Sequence, residues 1–244
     1  MEIIKTERLK KEYKDVVAVD GLDLEIGEGE LFALLGVNGA GKTTAIKMLT
    51  CLTEPTGGDA YVCGYSVIKE PEKIKPLIDV SMQETAVARN LTVEENVDFY
   101  AALNGKDGAE REKIKKELFE AFELDRVKGK RASKLSGGWQ RKLSIALALV
   151  TSPKVLFLDE PTLGLDVIAR RELWKTIRGL KGKMTVILTT HYMEEAEALS
   201  DRIGIMKSGR LLFVGTKEEL FGKTGKDNVE DAFISVVGGG ELDA

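Results

Sequence analysis

The sequence predicts an α/β fold with a mixed, largely parallel core sheet, a small antiparallel β-lobe and an inserted helical lobe. Three observations predict it. The runs Leu31-Phe32-Ala33-Leu34-Leu35, Val155-Leu156-Phe157-Leu158 and Thr185-Val186-Ile187-Leu188 are continuously apolar, as in parallel strands covered on both faces by helices. The first thirty residues instead alternate apolar with polar, the mark of half-buried antiparallel strands. From about 84 to 150 helical spacing takes over.

Composition sets the outer limits. A chain of 244 residues, 43% hydrophobic and 31% charged, can bury a substantial core. No apolar run approaches the roughly 18–20 residues of a membrane span, and Met1-Glu2-Ile3-Ile4-Lys5 lacks the apolar stretch of a signal peptide. A cytoplasmic protein that reaches a membrane only through a partner is therefore expected. The net charge of −4 offers no global basic field, so no nucleic-acid partner is expected. Cys51 and Cys63 show neither CxxC spacing nor a nearby histidine, which disfavours a metal site.

The elements follow in order. Leu22, Leu24 and Ile26 point one way and Asp23 and Glu25 the other, after a turn signal at Asp20-Gly21. The buried run at 31–35 leads through a glycine-rich loop into a helix carrying Ala45-Ile46-Lys47-Met48-Leu49. A strand from Ile78 to Met82 precedes the helical section. There Thr92-Val93-Glu94-Glu95 is a capping box and Asn104-Gly105 a stop signal. Ile114, Leu118, Ala121 and Phe122 mark a second helix, and a third runs from about Trp139 to Val150. Two strands around Lys207-Ser208-Gly209-Arg210 form a hairpin. Asp227-Asn228 caps a last helix through Val237, and Gly238-Gly239-Gly240 begins a loose tail.

The chemistry starts at Gly36-Val37-Asn38-Gly39-Ala40-Gly41-Lys42-Thr43-Thr44, between the strand and the helix as a phosphate-gripping loop requires. Its amides and the helix N-terminus favour an anion, Lys42 adds a cation for the β/γ-phosphates, and the Thr43 hydroxyl suits Mg²⁺. Gly36, Asn38, Gly39, Gly41, Lys42, Thr43 and Thr44 are thus nucleotide-binding candidates. A second apolar strand ends in Asp159-Glu160. Asp159 suits an outer anchor for Mg²⁺, and Glu160 a base for the attacking water. His191, the only histidine, also follows a strand, as a polar hand near the γ-phosphate. Gln83 and Gln140 are placed equally well for such a role. Ser136, Gly137 and Gly138 open a helix and form a second anion cradle.

In Leu135-Ser136-Gly137-Gly138-Trp139-Gln140, set after the phosphate loop and before the acidic strand, the chain resembles the ATP-binding cassette (ABC) ATPases and their signature motif. The resemblance runs from about residue 2 to 237. It implies a P-loop NTPase fold and one ATPase domain over 1–237, with core 1–83 and 151–220, helical lobe 84–150, a C-terminal helix 221–237 and a flexible tail 238–244. It implies Mg²⁺-dependent ATP hydrolysis with Glu160, His191 and Gln83 as catalytic residues and Thr43, Gln83 and Asp159 as metal ligands.

By the same resemblance Tyr13 stacks on adenine, although its sequence setting equally fits a packing aromatic of a hairpin. Ser136, Gly137 and Gly138 contact the γ-phosphate held by a second subunit paired head to tail, as a homodimer with a heterodimer left open. Pro161-Thr162-Leu163-Gly164-Leu165-Asp166 is similar to the loop that crosses to that partner. Trp139 stands where glutamine is usual in the family, and Leu163 where serine is common.

The stretches around Leu135 and His191 are similar to exporter-type subunits, including drug-resistance and lipid-export relatives. This implies an ATPase peripheral on the inner face of the cell membrane, energising integral membrane permease subunits. A soluble ABC ATPase acting on ribosomes or DNA is the alternative. The duplicated cassettes, coiled coils or basic surfaces usual there are not visible. A phosphotransferase is disfavoured for want of any sign of an acceptor pocket.

Overall fold

A computed structural model describes residues 2–238. In chain order the elements are β1 (Glu2–Tyr13), β2 (Val16–Gly27), β3 (Leu31–Gly36), α1 (Lys42–Leu49), β4 (Gly57–Val62), β5 (Tyr65–Ser66), α2 (Pro71–Ile74), β6 (Ile78–Ser81), α3 (Val93–Leu103), α4 (Gly108–Phe122), α5 (Gly137–Ala148), β7 (Val155–Asp159), α6 (Val167–Arg178), β8 (Thr185–Thr190), α7 (Met193–Leu199), β9 (Arg202–Lys207), β10 (Arg210–Gly215), α8 (Lys217–Thr224) and α9 (Val229–Gly238). The expected tail lies outside the described residues, apart from Gly238, which ends α9.

The six-stranded sheet has the order β10-β9-β3-β8-β7-β6. Its neighbours pair in parallel from β9 to β6, and only β10 is antiparallel. The carboxyl ends of five strands therefore lie along one edge, and the loops leaving it carry residues 37–41, Gln83, Glu160, His191 and Ser208. A separate antiparallel sheet, β2-β1-β4-β5, forms the small β-lobe.

Alternation along the buried strands divides the core in two. Leu31, Ala33 and Leu35 with Leu156, Leu158, Val186 and Leu188 face one cluster, which continues through Val93, Val97, Phe119, Leu143 and Ala146 of the helical section. Phe32, Leu34, Phe157 and Ile187 face the other, shared with α1 and the antiparallel sheet through Ile46, Met48, Leu22 and Ile26. One sheet is thus covered by helices on one side and by a helix and a second sheet on the other. Among the described residues no helix is long and apolar enough to cross a membrane.

Three local expectations change. The Asp20-Gly21 signal is not a turn: β2 runs through it, and the chain reverses at Lys14-Asp15 instead. Gly21 has φ +66° where the β1–β2 register shifts, so the dipeptide supplies the left-handed residue of a bulge. Helix α5 begins at Gly137, ahead of Trp139, because Ser136 takes the extended N-cap conformation. In place of one C-terminal helix over 221–237 there are two, broken at Gly225 (φ +68°). Thr216 and Glu219 form a capping box for the first, and Asn228 Oδ1 accepts from the Asp231 amide to start the second.

The capping box at Thr92 is present, with reciprocal bonds between Thr92 and Glu95. Truncating this exposed cap, Thr92→Ala, should lower stability by about 1 kcal/mol. Phe157→Ala removes a fully buried ring from β7 and should cost about 3–5 kcal/mol. Denaturant unfolding of both variants measures the contrast, and equal losses would contradict the assignment of Phe157 to the core.

Candidate active site

The glycine-rich loop is shaped by its contacts. Gly41 has φ +104°, and a Cβ there would collide with the Ala18 carbonyl, so only glycine fits. This folds the loop over the start of α1. Lys42, 5% exposed, donates to the Gly36 carbonyl at 2.7 Å and the Val37 carbonyl at 3.3 Å. Its ammonium also pairs with Glu160 Oε1 at 3.2 Å.

Glu160 is the centre of the arrangement. Its other oxygen, Oε2, meets His191 Nδ1 at 2.8 Å, and His191 lies against Tyr192 with ring centroids 4.1 Å apart. Glu160 has φ +48°, a strained conformation for a residue with a side chain. Its amide donates to the Thr189 carbonyl at 3.2 Å and to Thr189 Oγ1 at 3.1 Å. Beside it, buried Asp159 accepts through Oδ1 from Thr43 Oγ1 at 3.1 Å and from Thr189 Oγ1 at 2.5 Å. Lys42, Thr43, Asp159, Glu160 and His191 are thus brought together, although they come from the start of α1 and the ends of β7 and β8.

Lys42, Thr43, Glu160 and His191 border a cleft of about 720 Å³, with Asp159 buried just beneath it, and its wall also includes Asn38, Gly39, Gly41, Thr44 and Gln83. Its apolar side is made by Val16 and Val17, on the strand after Tyr13. Tyr13 itself is 44% exposed, does not line the cleft, and lies 5.0 Å from the Lys11 ammonium. Sequence reasoning missed the two valines because they read as ordinary strand residues.

Ser136, Gly137 and Gly138 are not at the Lys42 cleft. Ser136 caps α5 by conformation only: it is exposed and makes no side-chain capping bond. Gly137 opens onto a second cleft, of about 460 Å³, which shares Gln83 and Leu163 with the first. Asp166 ends the 161–166 loop by capping α6, accepting from the Ile168 and Ala169 amides at 2.9 Å. Gln140 lines the second cleft and not the Lys42 cleft. Its amide donates to the Ala132 and Leu135 carbonyls at 3.0 and 3.2 Å and so holds the approach to the signature segment.

Two buried charged residues flank the cluster without having been singled out in the sequence. Arg141 on α5 is 4% exposed and donates to backbone carbonyls of the Gln83 and Glu160 loops. Glu195 on α7 is fully buried, and the Trp174 indole donates to its Oε1 at 2.9 Å. Burial pushes the Glu195 carboxyl above the usual range and the charge of Glu160 adds to this, while the hydroxyls of Thr190 and Thr162 and the Trp174 indole pull the other way. Glu195 Oε2 and Thr162 Oγ1 are both buried without a completed hydrogen bond. The only available signal was position: a charge within an apolar helical stripe, and an acid one helical turn past His191.

Comparison with known proteins points one way. The ABC transporter family model matches residues 19–163. The daunorubicin resistance ATP-binding protein DrrA3 of Streptomyces coeruleorubidus is 40% identical over 223 residues, covering 91% of this chain and 70% of that protein. The phospholipid-transporting ATPase ABCA3 of Homo sapiens is 42% identical over 217 residues, covering 87% of this chain and 13% of that protein. A solved dimeric structure of an ATP-binding cassette in a post-hydrolysis state, bound to ADP and Pi, has a TM-score of 0.77 at 28% identity and covers 87% of this chain and 98% of its own.

A carboxyl whose folded pKa is raised keeps a proton that the unfolded chain has released, so it costs stability increasingly as pH climbs above about 4.3. Glu195→Gln keeps the acceptor for Trp174, supplies a permanent donor toward Thr162 and removes that cost. Its melting temperature should therefore exceed the parent's, with a gain that widens between about pH 4 and pH 8. Thermal melts across that range decide it, and a difference independent of pH would count against a protonated Glu195.

Proposed function

The chain belongs to the ABC transporter family, and we propose that this ATPase energises export through separate membrane-spanning partner subunits, at the cytoplasmic face of the membrane. We take it as one ATPase domain over 1–237, with core 1–83 and 151–220, helical lobe 84–150 and a C-terminal section 221–237. The observation that carries the reading is the carboxylate of Glu160, seated between Lys42 at 3.2 Å and His191 at 2.8 Å on the edge of the glycine-loop cleft.

The amides of the 36–44 loop and the Lys42 ammonium hold the β- and γ-phosphates of ATP, with Val16 and Val17 against its less polar end. Phosphate competes with Glu160 for Lys42, so nucleotide binding frees one carboxylate oxygen while His191 retains the other. Glu160 then accepts a proton from the water that attacks the γ-phosphorus, and ADP and Pi are the products. Gln83, on the cleft wall, orients that water.

The hard oxygens of Thr43 and Asp159, already sharing a hydrogen bond, fit Mg²⁺, with Gln83 alongside. Mg²⁺ usually takes only one or two protein carboxylates and completes its shell with phosphate and water. When bound, the ion neutralises phosphate charge.

The exposed, uncapped Ser136 hydroxyl and the amides of Gly137 and Gly138 supply the remaining donors from a second ATPase subunit set head to tail. None of the three lines the Lys42 cleft of its own chain, which supports this, as does the dimeric state of the related post-hydrolysis cassette. Glu160 and the signature segment occur on the same chain, so a homodimer has two complete sites. Nucleic acid plays no part in this reading.

Glu160→Gln should bind ATP normally, lose about 10²–10⁴-fold in turnover and accumulate as a nucleotide-bridged dimer on size exclusion. Retention of hydrolysis within about tenfold of the parent would reject Glu160 as the base. Ser136→Arg should abolish hydrolysis while leaving ATP binding by the separated subunit intact. Full-rate hydrolysis by a strictly monomeric chain would defeat the shared site.

A further inference from the structure

Arg141 is a buried cation at the junction of the helical section with the two loops that carry Gln83 and Glu160. It sits near the start of α5, five residues after Ser136, in a segment where every residue from Arg141 to Ala148 is buried. Its Nη1 donates to the Met82 carbonyl at 2.6 Å, and Nη2 donates to the Gln83 carbonyl at 2.7 Å and the Glu160 carbonyl at 3.3 Å. Among the described residues no carboxylate lies within ion-pair distance of it; Asp159 and Glu195 favour its charge from further away.

A side chain needed only to fill space here would be apolar, like its neighbours Leu143 and Ile145. A guanidinium buried without an adjacent carboxylate is an expensive filler, and its burial works against its charge. What it provides is a planar fork whose donors reach carbonyls of two loops at once. An ammonium on a flexible stem cannot reproduce that geometry.

The acceptors are telling. Glu160 stands at φ +48°, so the direction of its carboxylate depends on a backbone conformation that must be held by its surroundings. Thr189 holds the amide of that residue, while Arg141 and the Leu163 amide hold its carbonyl. The same guanidinium fixes the peptide of Gln83, which also lines the cleft.

We propose that Arg141 is a positioning residue for ATP hydrolysis: its guanidinium sets the backbones of Gln83 and Glu160 relative to one another and to α5, the helix that Ser136 precedes. It touches neither substrate nor reacting atoms. The inference rests on the reading of Glu160 and Gln83 as hydrolytic groups.

Two substitutions test it on the full chain. Arg141→Lys keeps the buried cation and loses the fork, and Arg141→Met keeps bulk without any donor. Steady-state ATPase activity in Mg²⁺, binding of a fluorescent ATP analogue and the melting temperature are measured together. In Arg141→Lys, kcat should fall by about 10–100-fold while nucleotide affinity and melting temperature stay near those of the parent. Arg141→Met should lose at least as much turnover; if it does not fold, Arg141→Lys decides alone.

A kcat within about twofold of the parent in either folded variant would overturn the inference, as would a loss of kcat matched by an equal loss of nucleotide affinity or of thermal stability. Glu160→Gln is run alongside. If it hydrolyses ATP at the parental rate, the underlying reading falls and this inference falls with it. If it is inactive while the Arg141 variants turn over normally, only the role of Arg141 is lost.

Discussion

Asp159 and Thr189 are partners across the parallel pair β7–β8, and much else depends on that register. It places the Thr189 hydroxyl on the Asp159 carboxylate at 2.5 Å and lets the next residue, Glu160, hang its amide on Thr189. A slip of one residue in either strand would turn its side chain to the opposite face of the sheet and separate the pair. The edge where β3, β7 and β8 end is therefore a shared reference frame, from which the glycine loop, the adjacent acids and the histidine each depart by a fixed number of residues.

That frame tolerates an unusual charge distribution. Lys42 and Glu160 are both almost fully buried, and such a pair contributes little unless its remaining hydrogen-bonding capacity is used. Here it is used: Lys42 is completed by two loop carbonyls and Glu160 by His191. The arrangement is stable yet exchangeable, since an incoming anion can replace one partner of Lys42 without stranding Glu160. Arg141 lies behind this cluster and contributes to its field, where its charge would not be retained for packing alone.

Much of this was legible in the sequence wherever the signal is local. The spacing of Gly36, Gly39, Gly41 and Lys42 between an apolar strand and a helix specifies a phosphate loop because no other element needs that order. Apolar runs ending in Asp159 or preceding His191 place those residues at strand ends. What escaped is decided by long-range pairing. Asp20-Gly21 carries the same local preference in a bulge as in a turn, and only the β1–β2 register distinguishes them. Gln140 resembles a ligand until Ala132 and Leu135 take up its amide. Arg141, read along the chain, is one more polar residue in a helix, and its meaning appears only when β6 and β7 bring Gln83 and Glu160 to it. Val16 and Val17 become cleft wall only through the approach of the glycine loop to Ala18.

The contact between α5 and α6 has a mechanical consequence. A side chain on Gly138 would sit 3.0 Å from the Ala169 Cβ, so at this crossing the two helices meet through small residues, while further along Lys142 pairs with Glu172 at 3.5 Å. Tilting the first must carry the second, and with it the segment ending at Asp166 that α6 begins from. At this crossing a displacement of α5 meets α6 through near-backbone contact and not through long, soft side chains.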